Sequence, residues 1–487
     1  MSGSAGPNER YEMVVGLEVH VQLATDTKIF CRCSTETGAP PNANTCPVCL
    51  GLPGALPVLN DRAVELAIRA VVALECDVQS TSVFARKNYF YPDLPKGYQI
   101  SQFDAPLATG GRLEIGVRRD GSPIVIGLTR VHMEEDAGKS VHDRFPGATA
   151  VDLNRAGVPL IEIVSEPEMR GSDEADAYLR TLAQILEYAG VSDVSMELGS
   201  LRADANVSTR RRGATHLGTK TEIKNLNSFS AVVRALDAEF VRQCGVLDAG
   251  GTIAQQTMLW DANAGTVRPA RSKEESHDYR YFPDPDLPPL VLPLERIDRI
   301  RRELPELPKP RRERYRREYP ALTDYDIGVL TADPSLGNFF EQVARQSDDA
   351  KAAANWTLGE VLATLKSSGQ SIAHFTVRPA DLAELIVMVR NGDVSGTAAK
   401  RIFAAMVDSG DRARDIAKRD GLLQVSDDAT LTRWIDEVLA EHPEEAARFL
   451  GGERRLLGVL VGHVMKKSKG SADPQRVNQL LAGRPGT

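Results

Sequence analysis

Cysteine is scarce in this chain: there are six in 487 residues, and four of them fall within 19 positions. That excludes a disulfide scaffold. In a reducing compartment a cluster of this kind points to a metal rather than to disulfides. Long apolar runs are missing too. The longest are broken by charges well before the ~18 residues of a membrane span. Residues 1–10 have no apolar stretch of the secretory type, so the expectation is a cytoplasmic protein with no membrane partner. Familiar nucleotide and nucleophile motifs are absent as well: no G-x-x-x-x-G-K-[ST] loop, no G-x-G-x-x-G turn and no G-x-S-x-G elbow. If ATP is used here, it must be held on an unusual β-scaffold.

What is present is ordinary in bulk and uneven in detail. Hydrophobic residues make up 42% and charged residues 26%, which excludes wholesale disorder. With 59 Lys and Arg against 67 Asp and Glu the net charge is −8, which argues against indiscriminate nucleic-acid binding. Residues 295–318 nevertheless carry a net +4 and residues 451–487 a net +5, leaving −17 on the rest. Basic patches on an acidic body suit one defined polyanionic ligand.

A chain this long predicts more than one domain. Up to about residue 290 the pattern reads as strands and loops with a few helices. After the proline cluster Asp284-Pro285-Asp286-Leu287-Pro288-Pro289 it becomes helical almost throughout. The expected fold class is α+β: a β-rich cradle at 1–294, a helical domain at 295–409 and a small helical tail module at 410–487.

The strands of the cradle carry more information. In 13–23, Met13, Val15, Leu17, Val19, Val21 and Leu23 alternate with Gly16, Glu18, His20 and Gln22. A period of two puts Glu18, His20 and Gln22 on one face, ~6–7 Å apart along the strand. The segment 200–208 repeats the scheme with Arg202, Asp204 and Asn206, and 219–225 does so with Lys220, Glu222 and Lys224. Any one such face also suits a sheet in contact with water. Three of them, carrying carboxylates, imidazole and cations, point to a shared concave surface.

Cys31-x-Cys33 and Cys46-x-x-Cys49 form the most specific local signal. Four thiolates with twelve residues between the pairs suit a tetrahedral structural Zn²⁺, with no position left for water. His132-Met133-Glu134-Glu135-Asp136 sets three carboxylates beside an imidazole, a hard-oxygen set for Mg²⁺ and nucleotide phosphates. Standing alone, it would sooner be read as a solvated acidic turn. Asp152, Glu162 and the 196–206 segment supply compatible groups. Two loops, Arg86–Gln99 and Asp278–Pro283, interleave cations and aromatics; each reads either as a packed loop anchor or as a ligand contact.

These segments together resemble the B subunit of the bacterial and organellar aspartyl/glutamyl-tRNA amidotransferase. The resemblance runs through G-L-E-V-H-V-Q-L at 16–23, A-R-K-N-Y-F-Y-P-D-L-P-K-G-Y-Q-I-S-Q at 85–102 and H-M-E-E-D-A-G-K at 132–139. It continues through I-V-S-E-P at 163–167, K-N-L-N-S-F at 224–229, D-Y-R-Y-F-P-D-P-D at 278–286 and the tail stretch 457–470. The resemblance implies a heterotrimer with an amidase (A) subunit and a small C subunit. Within it the B subunit uses ATP to phosphorylate the side-chain carboxylate of Glu-tRNA(Gln) or Asp-tRNA(Asn), and ammonia from the amidase then displaces phosphate.

The resemblance also implies roles for residues. Glu18, His20 and Glu135, with Glu134 beside them, organise metal and phosphate. Asp204 and Asn206 complete the metal shell, Arg202 or Lys87 neutralises phosphate charge, and Cys31, Cys33, Cys46 and Cys49 hold zinc. The basic tail, with Lys466, Lys467 and Lys469, matches the part that holds tRNA; His463 stands where Gln is the commoner form. Two rival readings are a zinc-stabilised RNA scaffold without catalysis and a ligase that makes its own ammonia. The massed carboxylates of 134–136 disfavour the first, and the lack of an amidase nucleophile disfavours the second.

Overall fold

The structure, a computed structural model, describes residues 7–270, 278–425, 427–468 and 470–484. Lys469 lies outside the described residues. Seven strands position the site: β1 (Tyr11–Gln22), β2 (Ala85–Asn88), β3 (Tyr98–Ser101), β4 (Pro123–Glu135), β5 (Pro159–Ser165), β6 (Leu201–Arg211) and β7 (Thr221–Leu226). The main sheet runs β7-β6-β1-β5-β4 through its centre. These five are antiparallel to one another in sequence across the sheet, and β7 pairs in parallel with Thr257–Asp261 on its outer side.

The alternation read in 13–23 is realised in β1. Met13, Val15, Leu17, Val19 and Val21 are buried, while Glu18, His20 and Gln22 are half-buried on the opposite face. The apolar side packs into one core with Ile161 and Ile163 of β5 and Ala205 and Val207 of β6. Three helices join that core: Asp61–Ala73, Ser172–Tyr188 and Phe229–Asp248. Two of their starts are specified locally. Asn60 accepts from the backbone N–H of Arg62 and Ala63, and Ser228 accepts from Ala231, satisfying donors that a helix N-terminus leaves open. One face of the sheet is thereby sealed, and the polar face remains for chemistry.

The chain divides into two compact units, Met1–Pro308 and Lys309–Thr487. The helix Leu294–Glu303, with which the helical region is expected to begin, belongs to the first unit. It buries Ile297 and Ile300 in the sheet's core, and Arg296 pairs with Asp61 at 2.7 Å.

The second unit is helical around two separate cores. One gathers Tyr315, Phe340, Leu382, Ile386, Phe403 and Ile416; the other gathers Leu431, Ile435, Val438, Phe449, Leu460 and Val464. The helix Ala413–Arg419 packs with the first of these through Ala413, Ile416 and Ala417. The helical character expected after the proline cluster is present, but the short helix Asp324–Leu330 is not legible in the sequence. It is seven residues long, and a reciprocal Thr323–Asp326 cap starts it where the usual partner is Glu or Gln. No helix among the described residues is long and apolar enough to cross a membrane.

Ile163 lies at the centre of the sealed core and is fully buried. Ile163→Ala removes three carbons there and is expected to destabilise the first unit by about 2–4 kcal/mol. Urea unfolding followed by tryptophan fluorescence checks this; a loss below about 1 kcal/mol would mean that β5 is not central to the core.

Candidate active site and thiol cluster

The register of the sheet decides which polar residues meet. His132 on β4 stands opposite Glu162 on β5, Glu162 opposite His20 on β1, and His20 opposite Arg202 on β6. Glu18 stands opposite Asp204, and Gly16 opposite Asn206. Four strands thus lay an imidazole–carboxylate–imidazole–guanidinium row across the open face. His20 Nε2 is 3.2 Å from Glu162 Oε2 and 3.6 Å from Glu134 Oε1. His132 Nε2 is 3.6 Å from Glu162 and 3.8 Å from Glu134. Glu134 also accepts from Ser101 Oγ at 3.1 Å. One donor atom each from His20, Glu134 and Glu162 lie within 4.8 Å of one another, close enough to hold a metal.

The electrostatics follow from crowding charges on a half-buried floor. Burial alone would depress the His20 imidazole, but the hydrogen bond and charge of Glu162, with Glu134 behind it, bring it up to about 9. Burial opposes ionisation of Glu162 and Glu134, yet His20, His132 and Lys87 hold both carboxyls below their ordinary range. Glu18 goes the other way. Burial and the carboxylates of Glu162 and Glu222 push it up, against the Asn206 amide, which donates to Glu18 Oε1 at 3.0 Å. Asp204 is likewise raised by burial, partly offset by Lys224 at 4.0 Å.

Lys87 reaches this floor from β2. Burial would lower its ammonium, but the charges of Glu134 and Glu162 raise it, and it lies 5.0 Å from the Tyr279 ring. The two aromatic loops, far apart in sequence, meet at this point. Asn88 Nδ2 donates to the carbonyls of Tyr279 and Arg280 at 3.2 and 2.8 Å, and the rings of Tyr89, Tyr279 and Tyr281 pack edge to face. Phe103 stacks on Tyr281 at 4.1 Å. They form one aromatic wall beside Lys87.

Glu135 does not join the cluster. The same alternation that aims Glu134 at the open face turns Glu135 to the other side of β4. There it binds Lys96 and accepts from the Ile100 N–H at 2.8 Å. Asp152 is also elsewhere, accepting from the Asn42 and Asn154 N–H groups at 3.1 and 3.0 Å. Asp136, one of three adjacent carboxylates in the sequence, has a distinct place: it accepts from Arg202 Nη2 at 2.7 Å and from Gln22 Nε2 at 2.8 Å. Glu162 reads in the sequence only as a compatible group. Its signal is the stretch Leu160-Ile161-Glu162-Ile163, in which one carboxylate interrupts an otherwise apolar strand.

Away from this floor, the sulfurs of Cys31, Cys33, Cys46 and Cys49 converge within 4.8 Å. Cys46 and Cys49 Sγ are 3.9 Å apart, close to the ~3.8 Å edge of a tetrahedral thiolate site with ~2.3 Å bonds. A hydrogen bond from the Cys31 thiol brings Cys49 down to about 4, with the Lys28 ammonium assisting, while burial pushes Cys33 up to about 11. The four thiols are close enough together to hold a metal ion, and Lys28 Nζ anchors the loop by donating to the Asn44 carbonyl at 2.7 Å.

A family model described as the GatB/GatE catalytic domain matches residues 13–298, and one described as the GatB domain matches residues 338–484. The B subunit of the aspartyl/glutamyl-tRNA(Asn/Gln) amidotransferase of Trichlorobacter lovleyi is 52% identical over 472 residues, 97% of this chain and 98% of the relative. The protein of the same name from Geobacter sulfurreducens is 52% identical over 474 residues, with the same coverage. The chain belongs to this B-subunit family. The match to the GatB/GatE catalytic domain contains the whole polar face, the aromatic wall and the thiol cluster.

His20, raised above its ordinary 6.5, contributes stability that is present below about pH 6.5 and is lost as the pH rises through about 9. NMR titration of the metal-free chain should place the His20 midpoint near 9, and Glu162→Gln should lower it by more than about one unit; an unmoved midpoint would refute the Glu162 assignment. Metal analysis of the purified chain should return one thiolate-bound ion. Cys46→Ser combined with Cys49→Ser should remove it and lower the melting temperature by several degrees; an unchanged metal content would show the thiols to be independent.

Proposed function

We propose that this chain is the kinase subunit of a tRNA-dependent amidotransferase, acting on Glu-tRNA(Gln), Asp-tRNA(Asn) or both beside an amidase subunit and a small C subunit. The observation that carries this reading is the convergence of His20, Glu134 and Glu162, with Lys87 and Arg202 flanking them, inside the part that matches the GatB/GatE catalytic domain.

A side-chain carboxylate is a poor electrophile. Transferring the γ-phosphoryl of ATP to its oxygen forms an O–P bond, breaks the bond to the leaving ADP and leaves an acyl phosphate. Ammonia then attacks the acyl carbon, phosphate departs with the bonding pair and takes up the proton that the nitrogen gives up, and an amide remains. The first step needs positioning and charge neutralisation more than a protein nucleophile.

The donor set fits a magnesium ion. Glu18, Glu134 and Glu162 are oxygen donors on one floor, and Glu18 is pushed up by burial and by neighbouring carboxylates, so added positive charge there is favoured. When bound, Mg²⁺ neutralises phosphate oxygens there. Of the chain's own groups, Lys87 brings a fixed positive charge over the same floor, and Arg202 is held in place by Asp136 at 2.7 Å. His20 holds a proton toward Glu162 at 3.2 Å, and its Nε2 would be a nitrogen donor to an ion held there. The aromatic wall of Tyr89, Tyr279 and Tyr281 shields one side from water and offers faces for stacking. The four-cysteine cluster takes a structural zinc that fixes the 31–49 loop.

The test is the reconstituted three-subunit complex with Glu-tRNA(Gln), ATP, Mg²⁺ and ammonium chloride, so that the amidase is bypassed. Glu134→Gln should abolish ADP release and Gln-tRNA formation, a loss of roughly a hundredfold or more, while tRNA binding is retained. Glu135→Gln, placed on the other side of β4, should retain more activity than Glu134→Gln. Normal turnover in Glu134→Gln would make the carboxylate face structural and favour the RNA-scaffold reading.

A further inference from the structure

The second core of the helical unit brings together three side chains that no part of the reaction uses. Helix Asp428–Glu441 ends at His442, which also precedes helix Pro443–Leu450. The His442 backbone is fixed on both sides: its N–H donates to the Val438 carbonyl at 3.0 Å, and its carbonyl accepts from Ala446 at 2.9 Å. Glu445 sits three residues on, in the first turn of the next helix. His463 lies in helix Leu457–Lys467 between buried Leu460 and Val464. The two imidazoles stack at 3.9 Å with a 19° tilt. Glu445 Oε2 is 3.1 Å from His463 Nε2 and 4.0 Å from His442 Nδ1.

One donor atom from each of the three lies within 4.8 Å of the others. Donors of a tetrahedral site with bonds of ~2.0–2.2 Å stand about 3.3–3.6 Å apart, so closing the set draws the donors together and turns the two imidazoles out of their stack, so that a lone pair of each points at the ion. The backbones that carry the donors are held by Val438, Phe449, Leu460 and Val464, which pack in one core. The side chains themselves are 29–36% exposed, so water can complete a coordination shell. Neighbouring cations are engaged elsewhere: Lys467 with Glu437 and Glu441 at 2.9 and 2.6 Å, and Arg448 with Glu453 at 2.8 Å. Two imidazole nitrogens and one carboxylate select zinc-class borderline ions over magnesium or calcium.

We propose that His442, Glu445 and His463 form a second metal site, for a zinc-class divalent ion, that ties the turn between the first two helices of this core to the third. Binding to the folded module alone stabilises it by mass action. None of its three residues belongs to the thiol cluster or to the polar face of the sheet.

The experiment uses the full chain with its thiol cluster kept zinc-loaded, titrated with zinc chloride in a calorimeter. With the polar face of the sheet also able to take an ion, the reading is a difference: wild type should take up one zinc per chain more than the double variant His442→Gln with His463→Gln, and show a rise in melting temperature with it. His463→Gln should weaken that binding roughly tenfold or more, and the double variant His442→Gln with His463→Gln should abolish it. Glu445→Gln gives a third variant should either histidine change disturb folding, which circular dichroism reports. Absence of additional binding in wild type, or the same stoichiometry and affinity in the double variant, overturns the proposal.

Discussion

The register of β1 is the constraint on which the rest of the structure depends. Eleven residues of β1 pair with β6 in unbroken antiparallel register, and five pair with β5 on the other side. Because the side-chain period of a strand is two, a slip of one residue on either side would turn Val15, Leu17 and Val19 toward solvent and bury Glu18 and His20 against the helices. Core and site are therefore specified together. The hydrophobic cost of a slip pins the position of each polar group, so the geometry of the polar face inherits its precision from packing on the opposite face.

That coupling explains which parts are legible in the sequence. Alternation is a local property, so the polar faces of 13–23, 200–208 and 219–225 can be read directly, as can the Cys31–Cys49 pattern, whose ligands sit on one short loop. Register between distant strands is not local. Nothing in residues 132–136 alone says whether Glu134 or Glu135 faces His20. Only the pairing of Leu160 with Glu134 and of Glu162 with His132 decides it, in favour of Glu134. Helix existence is legible through period and caps. The helix at 324–330 is not, because seven residues give too short a period and its cap uses Asp. The packing of Leu294–Glu303 on the first unit is hidden for a similar reason: its apolar residues Ile297 and Ile300 show that it packs, but not against what.

The same limit applies to the histidines of the tail. Met465 and His463 sit in a stretch that reads as part of one helix, and in the sequence His463 stands where a Gln would do similar hydrogen bonding. It acquires different chemistry only when the fold stacks it on His442, 21 positions earlier, with Glu445 between them. A single imidazole offers one donor, whereas a converging pair with a carboxylate offers a site.

Electrostatics gives the polar face its character. Carboxylates on a half-buried floor are costly unless opposite charge or hydrogen bonds compensate them. Glu134 and Glu162 are compensated by His20, His132 and Lys87, and Asp136 by Arg202 and Gln22. Glu18 and Asp204 are compensated only in part, and both are pushed toward their neutral forms. The unmet demand for positive charge is thus localised on β1 and β6, where these two residues stand opposite each other. A face built only for stability would pair these groups off or replace them with apolar residues of similar size. Leaving two carboxylates short of charge, on strands whose register is fixed by buried side chains along their whole length, costs stability, and positive charge brought to that face would offset the cost.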